Sequence, residues 1–297
     1  MLSIQHLIER GLTSGFLKAS SFNSSSPVFN YGPFTSHLLF NFRQEWVQSF
    51  IRNSSGRYQF LWLDSIDQIP SPSPNTTLAW QTKITNNLLK LPLILKRDEN
   101  VLEDDHLCLQ YVKPTEDINL IRLANERTCF WKKYFSSRDK LEFLSSKQNQ
   151  FDINYRFSQD TELYQLETIQ FDTNNSSLNL SLNINHSLIA LLLDSQMKSL
   201  HPLLAPHQIG IQTTMKSAEI SQYISKILTY KYHLRVVRLI DEQAADHIPF
   251  RIKLDDNSLK TGLCTVWNRD TQLNECIHVK LVTKRLGDYF KALDDFV

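Results

Sequence analysis

The last third of the chain alternates apolar strands with an amphipathic helix, and this order restricts the fold more than any other feature of the sequence. The helix is predicted from apolar side chains at helical spacing, namely Ile220, Tyr223, Ile224, Ile227 and Leu228. Strands are predicted at 208–213, 235–240, 248–254 and 263–267, and a closing helix at 286–297. Strands that alternate with helices form a mainly parallel or mixed sheet covered by helices.

The first two thirds of the chain also indicate mixed α and β structure. Leu38, Phe42, Trp46 and Phe50 recur at helical spacing after Pro33, a residue suited to a helix start. Further helices are predicted at 118–135 and 185–194, and strands at 58–64, 107–112, 152–157, 164–171 and 178–182. The proline-rich stretch 70–74 is predicted to be a loop and 174–177 a turn.

Prolines after residue 200 mark a predicted domain boundary. His201-Pro202 and Ala205-Pro206 interrupt the apolar pattern just before the strand and helix alternation begins. We therefore predict two domains, residues 1–200 and 201–297. The predicted fold class is α/β (α+β), with a mixed or antiparallel sheet in the first domain and a mixed α/β arrangement in the second.

The composition excludes several classes of function. With 32 basic and 31 acidic residues, the net charge of +1 gives no global attraction to nucleic acid, so any such contact must be local. No apolar run approaches the roughly 18 residues of a membrane span, and we expect no membrane association. The cysteines are scattered, which favours neither a disulfide framework nor a zinc site. They are Cys108, Cys129, Cys264 and Cys276.

No pattern of catalytic residues occurs in the sequence. The nucleophile-elbow, zinc-protease, dinucleotide-binding and P-loop motifs are all absent. Gly210 is the only glycine between Gly56 and Gly262, and no arginine lies between 157 and 234. A nucleotide site needs such residues, because glycine admits the backbone to the nucleotide and arginine pairs with phosphate. We predict no catalytic residue, no metal ligand and no cofactor.

A basic and aromatic stretch, Phe130-Trp131-Lys132-Lys133-Tyr134-Phe135, lies on the predicted helix 118–135. In one interpretation it is an amphipathic core helix with solvated lysines. In the other, Lys132 and Lys133 contact DNA phosphates, and Arg138 and Lys140 extend that face. The sequence leaves both interpretations open.

A second basic and aromatic cluster follows the last predicted strand. Trp267 and Arg269 are residue types that dominate interface hot spots, and Lys280, Lys284 and Arg285 lie close by in sequence. We predict that these five side chains meet at one edge and bind a partner protein. Truncating Arg269 is expected to weaken that binding at least about tenfold and to leave the fold intact.

Several stretches together resemble class II aminoacyl-tRNA synthetases of the glycyl type. They are Tyr31-Gly32-Pro33 with the helix ending near Trp46, residues 109–135, the junction at 188–206, and residues 262–278. The segment 185–194, where the family's third motif should lie, has neither its glycines nor its arginine. The chain is therefore similar to the catalytically inactive relatives of these enzymes, the accessory subunits of animal mitochondrial DNA polymerases.

This resemblance implies a degenerate synthetase-like domain followed by an anticodon-binding-like domain. It implies a non-catalytic protein of the mitochondrial matrix nucleoid that binds the polymerase catalytic subunit and increases its affinity for primer-template DNA and its processivity. The polymerase-binding residues would be Trp267, Arg269, Lys280, Lys284 and Arg285. The DNA-binding residues would be Lys132, Lys133, Arg138 and Lys140. Two alternatives stay open, a synthetase-like protein that binds tRNA or other RNA and an enzyme with residual adenylating activity.

Two features near the N-terminus bear on this resemblance. Only about 55 residues separate Phe50 from His106, which leaves little room for the helical insertion that makes vertebrate members homodimers. The resemblance is then to the shorter, insect-like form, and we expect no homodimer. Residues 1–44 contain one acid, Glu9, as a mitochondrial transit peptide does, but apolar side chains at helical spacing lead us to interpret them as folded structure.

Overall fold

A computed structural model gives the fold of the chain. The residues that it describes are 9, 11–12, 15–16, 32–53, 58–62, 91–97, 106–112, 120–147, 149–156, 163–173, 177–239 and 247–295. The predicted loop at 70–74 and most of the predicted turn at 174–177 lie outside them.

The described helices and strands follow the predicted order along the chain. The helices are α1 (Pro33–Asn53), α2 (Leu120–Tyr134), α3 (Ile184–Asp194), α4 (Ala218–Tyr232), α5 (Asp256–Thr261) and α6 (Val279–Asp295). The strands of the N-terminal part are β1 (Tyr58–Trp62), β2 (Leu91–Arg97), β3 (His106–Val112), β4 (Leu141–Lys147), β5 (Gln150–Arg156), β6 (Leu163–Asp172) and β7 (Ser177–Asn183). Those of the C-terminal part are β8 (Ile209–Thr213), β9 (Val236–Leu239), β10 (Phe250–Leu254), β11 (Leu263–Asn268) and β12 (Asn274–His278).

The mixed α/β fold class is confirmed, and five elements of the described residues were not predicted. These are β2, β4, β12, the short helix α5 and a 3-10 helix at Arg138–Lys140 between α2 and β4. Contacts within the chain define two compact units, a central unit of residues 46–191 and a terminal unit of residues 1–45 with 192–297. Domains 1–200 and 201–297 stay a prediction.

The central unit contains a seven-stranded sheet with the strand order β1-β2-β3-β7-β6-β5-β4. Strands β1 and β2 are parallel, and the other neighbours pair antiparallel. The core of this unit is strongly aromatic, because Trp46, Trp131 and Tyr155 are fully buried. The rings of Phe135 and Tyr155 lie 4.9 Å apart, which ties the end of α2 to the sheet.

The terminal unit contains a five-stranded mixed sheet with the order β12-β11-β10-β8-β9. Strand β8 pairs parallel with both β9 and β10, whereas β10, β11 and β12 pair antiparallel. Helices α4 and α6 cross each other closely, since a side chain at Gly287 would meet the Tyr232 ring. The core of this unit contains side chains from four strands of the sheet, namely Ile209, Ile211, Ile252, Cys264, Val266 and Ile277, which are all buried.

Two glycines of the terminal unit are required by geometry. At Gly32, a Cβ would lie 2.1 Å from the carbonyl oxygen of Gly15, so only glycine fits where the chain enters α1. Gly262 ends α5 at φ +72°, a left-handed conformation that glycine adopts without steric cost. At the other end of α5, the Asp255 carboxylate accepts a hydrogen bond from the Ser258 amide and caps the helix. The chain therefore turns sharply into β11.

Candidate functional site

The first basic cluster lies on and just after α2. The aromatic side chains Phe130, Trp131, Tyr134 and Phe135 of this stretch are at most 6% exposed. They fill the core of the central unit, so the amphipathic core helix of the first interpretation is present. The proposed phosphate contacts depend on the remaining, basic side chains.

The four basic side chains of this cluster differ in exposure. Lys132 and Arg138 are exposed, whereas Lys133 and Lys140 are half-buried. The Lys133 ammonium lies 5.5 Å from the Tyr134 ring and the Lys140 ammonium 5.8 Å from the Tyr155 ring. The ammonium groups of these two lysines therefore lie against aromatic rings, and the Lys133 Nζ is itself buried, so Lys132 and Arg138 offer the more accessible charges to a phosphate.

A buried ion pair that the sequence analysis missed lies beneath this helix. The Arg127 guanidinium donates to both carboxylate oxygens of Glu167, at 2.8 Å and 3.2 Å, and the Trp131 indole donates to the same carboxylate at 2.7 Å. Arg127 is 2% exposed and Glu167 is fully buried. Arg127 occupies the same helical stripe as Ala124, Trp131 and Tyr134, and this position was the signal for its burial.

The remaining surroundings of the Arg127 guanidinium are also internal. It donates to the Ser49 hydroxyl at 2.5 Å, and its carbon lies 4.1 Å from the Phe50 ring centre and 4.3 Å from that of Phe130. Cation and carboxylate are thus satisfied by α1, α2 and β6. These contacts link α1, α2 and β6 and stabilise their arrangement; they do not form an open binding site.

Arg269, predicted to be an interface residue, is 6% exposed. Its guanidinium donates to the backbone carbonyls of Lys198, His247 and Leu200 at 3.1, 3.0 and 2.8 Å. It also donates to the Asp270 carboxylate at 2.7 Å. Because one side chain satisfies two buried carbonyls and a partly buried one, truncating it removes stability, and we no longer expect Arg269→Ala to leave the fold intact.

Trp267 is half-buried beside a second arginine. The register of β10 and β11 sets Arg251 directly opposite Trp267, and the guanidinium carbon lies 3.5 Å from the ring centre. This cation–π contact restrains the Trp267 indole. The neighbouring turn forms as predicted at Asp270-Thr271, with the Asn268 side chain accepting from both amides.

Lys280, Lys284 and Arg285 are exposed on α6. Arg285 pairs with Glu275 of β12 at 2.7 Å, and Glu275 faces the same side of the sheet as Val266. Since side chains alternate along β11, Trp267 lies on the opposite face. The five predicted residues therefore share the β11 and β12 end of the sheet but do not form one continuous patch.

Within the described residues, no group of three histidine, cysteine or acidic side chains is arranged to hold a metal ion. No helix in the described part of the chain is long and apolar enough to cross a membrane.

No protein-family profile matches the chain. Among curated proteins, it is similar to the mitochondrial DNA polymerase subunit gamma-2 of Drosophila melanogaster, with 29% identity over 119 residues. The match covers 33% of this chain and 33% of that relative, so it spans about a third of the relative's length.

Among solved structures, the chain resembles prolyl-tRNA synthetase from Cryptosporidium parvum, determined with L-proline and AMP. The TM-score is 0.60 at 10% identity, and the alignment covers 99% of this chain and 76% of the synthetase. The predicted resemblance is thereby confirmed: the chain has the fold of a class II aminoacyl-tRNA synthetase and is similar to a subunit of mitochondrial DNA polymerase.

Proposed function

We propose that the chain is a non-catalytic accessory subunit of a mitochondrial DNA polymerase. The observation that carries this proposal is its sequence similarity to subunit gamma-2, combined with a synthetase-like fold along nearly its whole length. The partner is then the polymerase catalytic subunit, and the site of action is the nucleoid of the mitochondrial matrix. The accessory subunit would strengthen the hold of the polymerase on primer-template DNA and raise its processivity.

The sequence supports the non-catalytic part of the proposal. The arginine-free stretch between 157 and 234 and the scarcity of glycine remove the residue types with which class II synthetases hold ATP. Arg127 does not replace them, because its guanidinium is buried and bound to Glu167 and Ser49.

We assign the polymerase contact to the exposed cations Lys280, Lys284 and Arg285, together with the half-buried Trp267. Arg269 acts indirectly, by holding the turn beside Trp267 in place. The DNA contact falls to Lys132 and Arg138, with Lys133 and Lys140 at its border. Exposed lysines of this kind mainly affect association rate and salt dependence.

Primer extension tests the proposal. The catalytic subunit of the mitochondrial DNA polymerase from the same organism is assayed on singly primed single-stranded DNA, with and without this protein. We expect a stable complex and longer products per binding event. Lys280→Ala with Lys284→Ala should slow complex formation, whereas the matched control Lys260→Ala, an exposed lysine on α5, should not. Failure to bind the catalytic subunit overturns the proposal.

Binding measurements separate the alternatives. Calorimetry with Mg-ATP is expected to show no binding, and micromolar binding would favour an adenylating enzyme. Preference for tRNA over primer-template DNA would favour an RNA-binding protein. Light scattering is expected to give a monomer near 34.6 kDa, and a stable dimer at micromolar concentration would contradict the expected absence of a homodimer.

A further inference from the structure

Strand β9 forms an edge of the five-stranded sheet and borders a groove. In the strand order, β9 is terminal and pairs only with β8 among the described residues. The carbonyl of Arg235 accepts hydrogen bonds from the amides of Gln208 and Ile209, so it points toward β8. Backbone groups alternate along a strand, and those of Val236 and Arg238 therefore point to the outer edge.

Two adjoining cavities border this edge, and both are lined within the terminal unit. One, of about 260 Å³, lies between α4 and β9 and is lined by Ser225, Lys226, Tyr230 and Arg238 among others. The other, of about 750 Å³, lies at the start of β9. Thr229 and Val236 line both cavities, so together they form one groove along β9.

The groove is basic and carries exposed aromatic rings. Its ionisable lining residues, apart from Tyr230, are Lys226, Arg238, His37, His207, His233 and Arg235, and no aspartate or glutamate among the described residues lines it. Glu45 lies near Arg235 and offsets part of this charge. Two exposed aromatic side chains line it, Phe40 (61% exposed) in the larger cavity and Tyr230 (77% exposed) in the smaller one. Exposed aromatic and basic side chains of this kind serve as anchors in protein recognition.

We propose that this groove binds an extended, acidic segment of a partner protein, which adds to the sheet as a strand beside β9. The outward amides and carbonyls of Val236 and Arg238, which have no partner among the described residues, supply the main-chain hydrogen bonds, as in other complexes formed by strand addition. Lys226 and Arg238 pair with carboxylates of the segment. The four residues of β9 match a segment of about four residues, roughly 13 Å long.

This surface is distinct from the patch assigned to the polymerase, because β9 and β12 are the two opposite edges of the sheet. The inference therefore does not depend on the proposed function.

Peptide selection tests the inference. A displayed library of random dodecapeptides is panned on the full chain, and the enriched peptides are measured by fluorescence polarisation. We expect them to be rich in aspartate and glutamate. Arg238→Pro removes one outward amide, which edge strands tolerate, and should weaken binding at least tenfold. The double variant Lys226→Glu with Arg238→Glu should also weaken peptide binding at least tenfold. It replaces the proline variant in the test if that variant does not fold.

A proline at the opposite edge is the matched control. The Asn268 amide donates to Leu273 and the Val279 amide to Gly262, so the amide of Cys276 points away from β11. Cys276→Pro is expected to leave peptide binding unchanged. The inference fails if no peptide is enriched, or if the enriched peptides lack acidic residues. It also fails if they bind the folded Arg238→Pro variant or the charge-reversed variant as tightly as the wild-type chain.

Discussion

Arg127 and Glu167 form a two-pronged ion pair inside the central unit, with nitrogen to oxygen distances of 2.8 Å and 3.2 Å. Both side chains are shielded from water, and the Trp131 indole shares the carboxylate. Removing two charges from water is costly, and the cost is offset only where geometry and additional hydrogen bonds are good. The pair therefore fixes how α2 lies on β6 more than it adds net stability.

Breaking this ion pair is predicted to destabilise the protein strongly. Glu167→Ala leaves the Arg127 charge buried without its carboxylate, and we expect a loss of about 3–5 kcal/mol in the free energy of unfolding. Urea denaturation followed by circular dichroism measures it. The double variant Arg127→Met with Glu167→Leu should be more stable than Glu167→Ala. A loss below about 1 kcal/mol for Glu167→Ala would contradict a buried charge pair.

Arg269→Ala is predicted to destabilise the terminal unit. Its loss leaves the carbonyls of Lys198, Leu200 and His247 without this donor, each buried acceptor costing about 1–3 kcal/mol unless water replaces it. We expect the free energy of unfolding, measured with denaturant, to fall by at least about 2 kcal/mol. The control Arg285→Ala removes an exposed ion pair and should cost less than about 1 kcal/mol. Equal stability of the two variants would exclude a structural role for Arg269.

Acid stability is predicted to depend on His207. Burial, followed by the charges of His37 and Arg235, lowers the pKa of His207 in the folded protein. Below the unfolded-state pKa of about 6.5, the unfolded chain then binds more protons, so stability falls as the pH drops through this window. His207→Gln should show a shallower fall than the wild type between neutral pH and the lowered pKa. The exposed His278→Gln variant is the control, and identical profiles for all three proteins would refute the prediction.

The cysteines are predicted to differ in reactivity. Burial, and then the neighbouring Cys276, raises the pKa of the Cys264 thiol to about 11, so the thiolate is scarce at neutral pH. Cys129 and Cys276 are exposed. In the native protein we expect iodoacetamide to label Cys276 and Cys129, and to label Cys264 only after unfolding. Peptide mass spectrometry reads this out, and rapid native labelling of Cys264 would show that β11 opens.

The first basic cluster is predicted to act through salt-dependent binding. Lys132→Ala with Lys133→Ala should lower affinity for primer-template DNA at low salt and leave polymerase binding unchanged. Removing one lysine that pairs with a phosphate reduces the slope of log affinity against log salt by about 0.9. Lys260→Ala, which removes one exposed charge elsewhere, is a control and should leave the slope unchanged. An unchanged slope in the double variant would show that neither lysine pairs with a DNA phosphate.

Sequence periodicity was enough to predict the mixed fold and most elements. Helix α4 and its flanking strands carry a clear alternation of apolar and polar residues, and α2 carries an aromatic stripe. Strand β4 was not predicted, because the adjacent apolar residues Phe143 and Leu144 are both exposed and interrupt the alternation of apolar and polar residues. Strand β12 was not predicted, because four of its five side chains are exposed and it has no apolar pattern.

The site was predicted less completely, because its residues depend on contacts distant in sequence. Arginine is a residue type that often anchors interfaces, yet Arg269 donates to backbone carbonyls about 70 residues away in sequence. No local sequence pattern encodes such a contact. Glu167 lies 40 positions from Arg127. Conversely, exposure of Lys280 and Lys284 follows from their places between the buried positions of α6.

The terminal unit joins the first and the last segments of the chain. The Asn41 amide donates to the carbonyls of Leu204 and Ala205 at 3.1 Å and 3.2 Å, and the Phe34 ring lies 4.7 Å from that of His247. The central unit is complete once residue 191 has left the ribosome, but Phe34 and Asn41 then still lack these partners. Both residues are therefore translated before the central unit, yet they reach these native contacts only after it has been made.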